Sequence, residues 1–185
     1  MGMKALCVAM VTQAVILGGF AQPSNVTAEE LQSGLRYELK PLAQTFVEIE
    51  EEYGINSTLY SSIVAIESGW GRSDLSANKN NITSFTTAGG YKSYESKEDC
   101  LWDMARNLSE NYLDEDGIYY NGSAELEDVA CYYLLGKPRS EMTYAEKKQT
   151  DQYIDIVTGI QDGIISRIDN HRSKNYNGDN GVEND

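Results

Sequence analysis

The chain has 185 residues, a length that fits one domain with short appendages. Its apolar share of 41% and charged share of 24% are those of an ordinary globular protein. A domain of roughly 150 residues buries enough surface to stand without a metal or a disulfide. A net charge of −14 repels phosphate, which argues against nucleic acid and anionic membrane surfaces as partners and leaves room for a neutral or amphoteric polymer.

The first feature in chain order is Lys4 followed by an apolar run from Ala5 to Phe20. Gly19-Phe20-Ala21 puts small residues where a signal peptidase reads them, so residues 1–21 are expected to be a secretory signal peptide cleaved before Gln22. An uncleaved N-terminal anchor is the alternative and the one route to membrane attachment. The run is shorter than the roughly 20 strongly apolar residues that span a bilayer. The product is expected outside the cytoplasm, secreted or associated with the cell wall.

Thr27-Ala28-Glu29-Glu30 reads as a capping box that opens a helix running to about Leu39. Pro41 suits the first turn of a second helix, in which Leu42, Phe46, Ile49 and Tyr53 recur at helical spacing before Gly54 ends it. A third helix starts at Ser57 or Thr58. Leu59, Ile63 and Ile66 mark one face, and Tyr60, Val64 and Glu67 a neighbouring one. Gly69 and Gly71 stop it, which leaves Glu67 in the last turn of an otherwise apolar helix.

Residues 73–96 are loop-like, with two short β-prone runs around Ala88-Gly89-Gly90 that predict a small hairpin. Ser96-Lys97-Glu98-Asp99 opens a helix with Cys100, Leu101, Met104 and Leu108 inward. Asp114-Glu115-Asp116-Gly117 lacks the later ligands of a calcium loop and reads as a solvated turn. Ser123 to Leu135 is a further helix. Thr143-Tyr144-Ala145-Glu146 is another capping box, opening a long helix with Tyr153, Ile156, Val157, Ile160, Ile164 and Ile168 inward. The polar, Asn-rich residues 169–185 are expected to form a disordered tail.

Cys7 would leave with a cleaved signal. Cys100 and Cys131 would remain, either paired or as two buried thiols; spacing alone does not decide between these. No Cys/His spacing suggests a metal site, and no cofactor is implied. The sole histidine, His171, lies in the polar tail, which leaves no histidine base for a Ser-His-Asp or Cys-His mechanism.

The stretch Tyr60-Ser61-Ser62-Ile63-Val64-Ala65-Ile66-Glu67-Ser68-Gly69-Trp70-Gly71-Arg72-Ser73 resembles the signature of the endo-β-N-acetylglucosaminidase family of peptidoglycan hydrolases. Asn80-Asn81 follows at the family's distance, Tyr94-Glu95-Ser96 is similar to its next block, and Thr150-Asp151-Gln152-Tyr153 to the block opening its last helix. The resemblance covers roughly Leu42 to Ile165. It implies a mainly α (α+β) fold like that of lysozyme, with a small, reduced β-hairpin lobe across a cleft, over residues 27–168. It also implies cleavage of the β-1,4 bond from N-acetylglucosamine to N-acetylmuramic acid in peptidoglycan glycan strands, by a protein expected to be a monomer.

Glu67 is the expected catalytic acid. Glycoside cleavage needs a carboxyl that holds its proton near neutral pH, and both desolvation and a helix C-terminus favour the neutral form. Asn80, Asn81, Tyr94 and Tyr153 are the expected substrate-binding residues, and Glu95 the candidate second carboxylate. Trp70 reads as a packing residue under the loop. The chain also departs from the family pattern. Ile82-Thr83-Ser84-Phe85-Thr86 replaces the usual Leu-Phe-Gly-Ile-Lys, no Asp or Glu lies between Asn81 and Tyr94, and Lys148-Gln149 stand where a Tyr is usual. A lone acid assisted by the substrate's own acetamido group fits these departures, and a water activated by a distant carboxylate such as Glu95 or Asp74 is the other option. A lytic transglycosylase of the same superfamily and a degenerate wall-binding module are the alternatives.

Overall fold

The computed structural model describes residues 19–179; most of the expected signal peptide and the end of the expected tail lie outside them. Within that range the protein is mostly helical with one two-stranded antiparallel sheet. This is the mainly α, lysozyme-like architecture that the sequence implies.

The centre is a helix buried on nearly every side. Helix α3 spans Ser57–Ser68, and every residue from Ser57 to Ala65 is buried. A helix apolar all round belongs inside a core, and its polar residues are small ones that bond to their own backbone. Ser61 and Ser62 donate to the Thr58 carbonyl at 3.1 and 2.6 Å, and Ser68 donates to the Val64 carbonyl at 2.6 Å. Asn56 caps the helix by accepting the Thr58 and Leu59 N–H groups. Two buried polar bonds tie it to its neighbours: Gln161 Nε2 donates to Thr58 Oγ1 at 3.0 Å, and the Tyr60 hydroxyl donates to the Leu101 carbonyl at 2.7 Å.

Around α3 pack α1 (Ala28–Gly34), α2 (Ala43–Tyr53), α5 (Lys97–Leu108), α6 (Leu126–Leu135) and α7 (Tyr144–Asp179), with the short α4 (Asp74–Lys79) between. The Thr27, Ser96 and Thr143 capping boxes all form. The first predicted helix is shorter than expected. It ends at Gly34, where a Cβ would lie 2.8 Å from the Ile164 side chain, so glycine lets α1 press against α7. A 3-10 turn over Tyr37–Leu42 takes up Pro41 before α2 begins.

Two expectations about α7 are corrected. Ile156 is 51% exposed rather than inward, because the buried stripe runs through Thr150, Val157, Gln161, Ile164 and Ile168. Residues 169–179, expected to be disordered, continue the helix. Arg172 holds this stretch to α1 through Glu30 at 2.7 Å and also donates to the Asn25 carbonyl at 3.2 Å. Cys100 and Cys131 are both buried, free thiols, so they are not paired.

The hairpin forms as predicted. Strands β1 (Thr86–Thr87) and β2 (Gly90–Tyr91) pair with Thr86 opposite Tyr91 and Thr87 opposite Gly90. At the other end of the chain, residues 19–26 fold back onto the helices, and Phe20 is fully buried. The expected cleavage point before Gln22 lies inside this packed segment.

Candidate active site

Glu67 is placed by a tight turn built from its own neighbours. Gly69, Trp70 and Gly71 all take left-handed backbone angles, with φ of 57°, 63° and 80°. Ser68 Oγ ties the turn by accepting the Gly71 N–H at 2.7 Å while donating back to Val64. Gly71 is required twice over: its φ is positive, and a Cβ there would sit 2.8 Å from the Glu38 Cβ. Trp70 packs outside the turn with the Arg36 and Arg167 guanidiniums each 5.7 Å from its ring. It does not line the cleft, in keeping with its expected packing role.

The Glu67 side chain opens into a cleft of about 280 Å³ between the helices and the β-lobe. The lobe side is Thr83, Ser84, Phe85 and Thr86; the helical side is Met104, Asn107, Tyr112 and Tyr133. Among the described residues that line it, Glu67 is the one carboxylate. Burial pushes the Glu67 carboxyl above the usual carboxylate range, opposed in part by the Ser84 and Tyr133 hydroxyls. Tyr133 donates to Glu67 Oε1 at 3.5 Å, and Ser84 Oγ donates to the Glu67 carbonyl at 3.3 Å. Ser84 holds a positive φ of 57°, a costly angle for a residue with a Cβ, and this aims its hydroxyl at the end of α3. Burial keeps Tyr133 protonated and therefore a donor.

The remaining predicted site residues sit elsewhere. Asn81 is 1% exposed, and its amide is spent inside the lobe. Its Nδ2 donates to the Phe85 and Lys92 carbonyls, and its Oδ1 accepts the Phe85 N–H. Asn80 Nδ2 donates to the Tyr94 and Glu95 carbonyls. The Tyr94 hydroxyl donates to Asp103 Oδ2 at 2.9 Å, beside a Lys92–Asp103 ion pair at 2.8 Å. Asn80 and Asn81 brace the lobe from within and Tyr94 ties it to α5; none of the three lines the cleft. Glu95 is exposed and does not line the cleft. Tyr153 lies behind Tyr133, ring centroids 6.2 Å apart, and its buried hydroxyl has no partner among the described residues.

Three cleft residues were not singled out from sequence: Tyr133, Asn107 and Tyr112. Tyr133 sits in an apolar-looking helix 66 residues from Glu67. Tyr112 is turned into the cleft by a π-helical turn over Ser109–Leu113, a local widening that has no simple sequence mark but recurs at functional sites. The Asn107 amide is oriented by Asn111, whose Nδ2 donates to its Oδ1 at 3.1 Å.

A lysozyme-like helical body and a small β-lobe enclose the cleft, with a glutamic acid at the end of the central helix. Residues 43–179 match the glucosaminidase family, described as mannosyl-glycoprotein endo-beta-N-acetylglucosaminidase, and the chain belongs to that family. It is similar to two proteins provisionally named endo-beta-N-acetylglucosaminidase, from Streptococcus pneumoniae serotype 4 and a second strain of that species. Each is 31% identical over 114 residues, covering 56% of this chain. The match spans 17% and 16% of those much longer relatives.

Proposed function

We propose that this domain hydrolyses the β-1,4 bond between N-acetylglucosamine and N-acetylmuramic acid in peptidoglycan, outside the cytoplasm, with Glu67 as general acid. The observation that carries the reading is Glu67 itself: a carboxyl held partly out of water in a cleft whose other lining groups are hydroxyls, an amide, aromatic rings and the Met104 thioether. That lining suits an uncharged sugar better than an ionic ligand.

In the productive state Glu67 is protonated and gives its proton to the leaving glycosidic oxygen. Tyr133 and Ser84 orient the carboxyl and stabilise the carboxylate left behind. Among the described residues no second carboxylate lines the cleft, which favours attack on the anomeric carbon by the acetamido oxygen of the N-acetylglucosamine. The resulting oxazolinium ion is then opened by water, with Glu67 taking back a proton from that water. Asn107 and Tyr112 are positioned on the helical wall to hold the acetamido group, and Phe85 offers an apolar face from the lobe.

The test is digestion of purified peptidoglycan, with the new ends read by mass spectrometry. Reducing N-acetylglucosamine ends support the proposal. Anhydro-muramic ends would move the protein to the lytic transglycosylases. No release would leave a wall-binding module.

A further inference from the structure

The segment ahead of α1 has no part in the chemistry above, yet it touches both helices that carry the Glu67–Tyr133 pair. The Phe20 N–H donates to the Ala124 carbonyl at 3.0 Å, two residues ahead of α6, the helix of Tyr133. The Phe20 carbonyl accepts the Asn56 N–H at 2.8 Å, and Asn56 is the cap of α3, the helix of Glu67. Asn56 Nδ2 donates in addition to the Gln22 carbonyl at 2.7 Å. One residue therefore clips the starts of two helices whose far side chains meet in the cleft.

The Phe20 ring continues the same connection through the core. It is 0% exposed and shares one tightly filled pocket with Ile63, Leu108, Val129, Tyr133 and Tyr153. Tyr133 thus has Glu67 on its cleft side and Phe20 behind it. The close approach extends to Gly19, where a Cβ would lie 3.0 Å from the Ala124 carbonyl oxygen. A chain cut before Gln22 would lose the ring, both backbone bonds and the backing of Tyr133 together.

We infer that Phe20 is a positioning residue for the Glu67–Tyr133 pair, and that the active enzyme keeps Gly19–Ala21, its N-terminus lying at or upstream of residue 19 rather than at Gln22. This rests on the assignment of Glu67 as the acid. Without the ring, Tyr133 gains room to swing away and water gains a path to the carboxyl.

The experiment has two arms. The full chain is exported from a bacterial host and the mass of the product read. A start at or before Gly19 is expected, and an active product starting at Gln22 overturns the inference. Full-length Phe20→Ala and Phe20→Leu are then compared with wild type on purified peptidoglycan, as kcat, KM and their pH dependence. Phe20→Ala, helical by circular dichroism at the assay temperature, is expected to lose about tenfold or more in kcat with KM within about twofold. The basic limb of its profile should move to lower pH, and Phe20→Leu should recover most of the loss. If Phe20→Ala lowers only the melting temperature and leaves kcat and the limb in place, the ring is mere filling and the inference fails. If Phe20→Ala does not fold, Phe20→Val replaces it in the same comparison: an unchanged kcat and profile overturn the proposal, and a loss of kcat with the limb moved to lower pH supports it. Glu67→Gln separates the two readings, because wild-type activity there removes the acid assignment while the mass measurement still judges the N-terminus.

Discussion

The Tyr133 hydroxyl reaches the Glu67 carboxylate from 66 residues further along the chain, across the closed end of the cleft. A donor at that point stabilises the charged form of Glu67, whereas burial favours the neutral form, and burial is the larger effect. Tyr133→Phe removes only the donor. The Glu67 carboxyl is then expected to titrate higher, because the bond that favours its charged form is gone. The basic limb of kcat/KM against pH should shift upward, and an unmoved or lowered limb would contradict the Tyr133 bond.

Glu67→Gln is expected to lower kcat about 10²–10⁴-fold, the range of a general acid. The same change should stabilise the fold at neutral pH. A carboxyl whose folded pKa is raised contributes fully below its unfolded pKa, and that contribution is lost as pH rises through the folded pKa. The melting temperature of Glu67→Gln should therefore exceed that of wild type near pH 8, with the gap closing toward pH 4. Equal melting curves at both pH values would contradict the buried carboxyl.

Gly71→Ala sets a methyl against Glu38 and demands a positive φ from a residue with a Cβ. A loss of about 1–3 kcal/mol is expected in urea unfolding. Because this turn fixes the end of α3, kcat should fall as well. Gly54→Ala, also at positive φ but with open space around it, separates backbone strain from the clash.

Asn81→Ala leaves the Phe85 N–H and the Lys92 carbonyl without their buried partner. Hydrogen exchange is expected to speed up in residues 82–92 while α3 stays protected. Uniform loss of protection would mean that the lobe is part of the main cooperative unit.

The Glu30 carboxyl is held down to about 2, chiefly by its hydrogen bond from Arg172. A depressed carboxylate stabilises the fold above its unfolded value of about 4.5, and this is lost as pH falls toward 2. Arg172→Met should therefore fray residues 169–179 at pH 7, as read by amide exchange, and differ little from wild type near pH 2.

What could be read from the sequence was local. Thr27 with Glu30, Ser96 with Asp99, and Thr143 with Glu146 mark helix starts, because a cap is decided within four residues. The place of Glu67 in the last turn of α3 is legible for the same reason: the glycines that end the helix stand beside it. The partners of Asn81 and Tyr94 within the lobe and on α5 are not legible in the sequence, since an amide that bonds a sugar and one that bonds Lys92 look alike there. Tyr133 was hidden because a tyrosine on an apolar helix face reads as packing, and only the tertiary fold shows where its hydroxyl ends. The polar stretch after Ile168 looked structureless because composition does not reveal that Arg172 has Glu30 within reach. Ile156 was misassigned by one helical step, since Gln161 holds a buried place that an apolar stripe would not award it.

The two sides of the cleft are secured by different kinds of attachment. Glu67 belongs to a helix whose removal would dissolve the core. The strip facing it, residues 82–94, hangs on amide bonds from Asn80 and Asn81 and on the Lys92–Asp103–Tyr94 brace. Sequence change in that strip can reshape the lobe wall of the cleft while Glu67 stays where it is. The chain has in effect separated the part that must not drift from the part that can be rewritten, and the unusual Thr83-Ser84-Phe85-Thr86 run falls in the second.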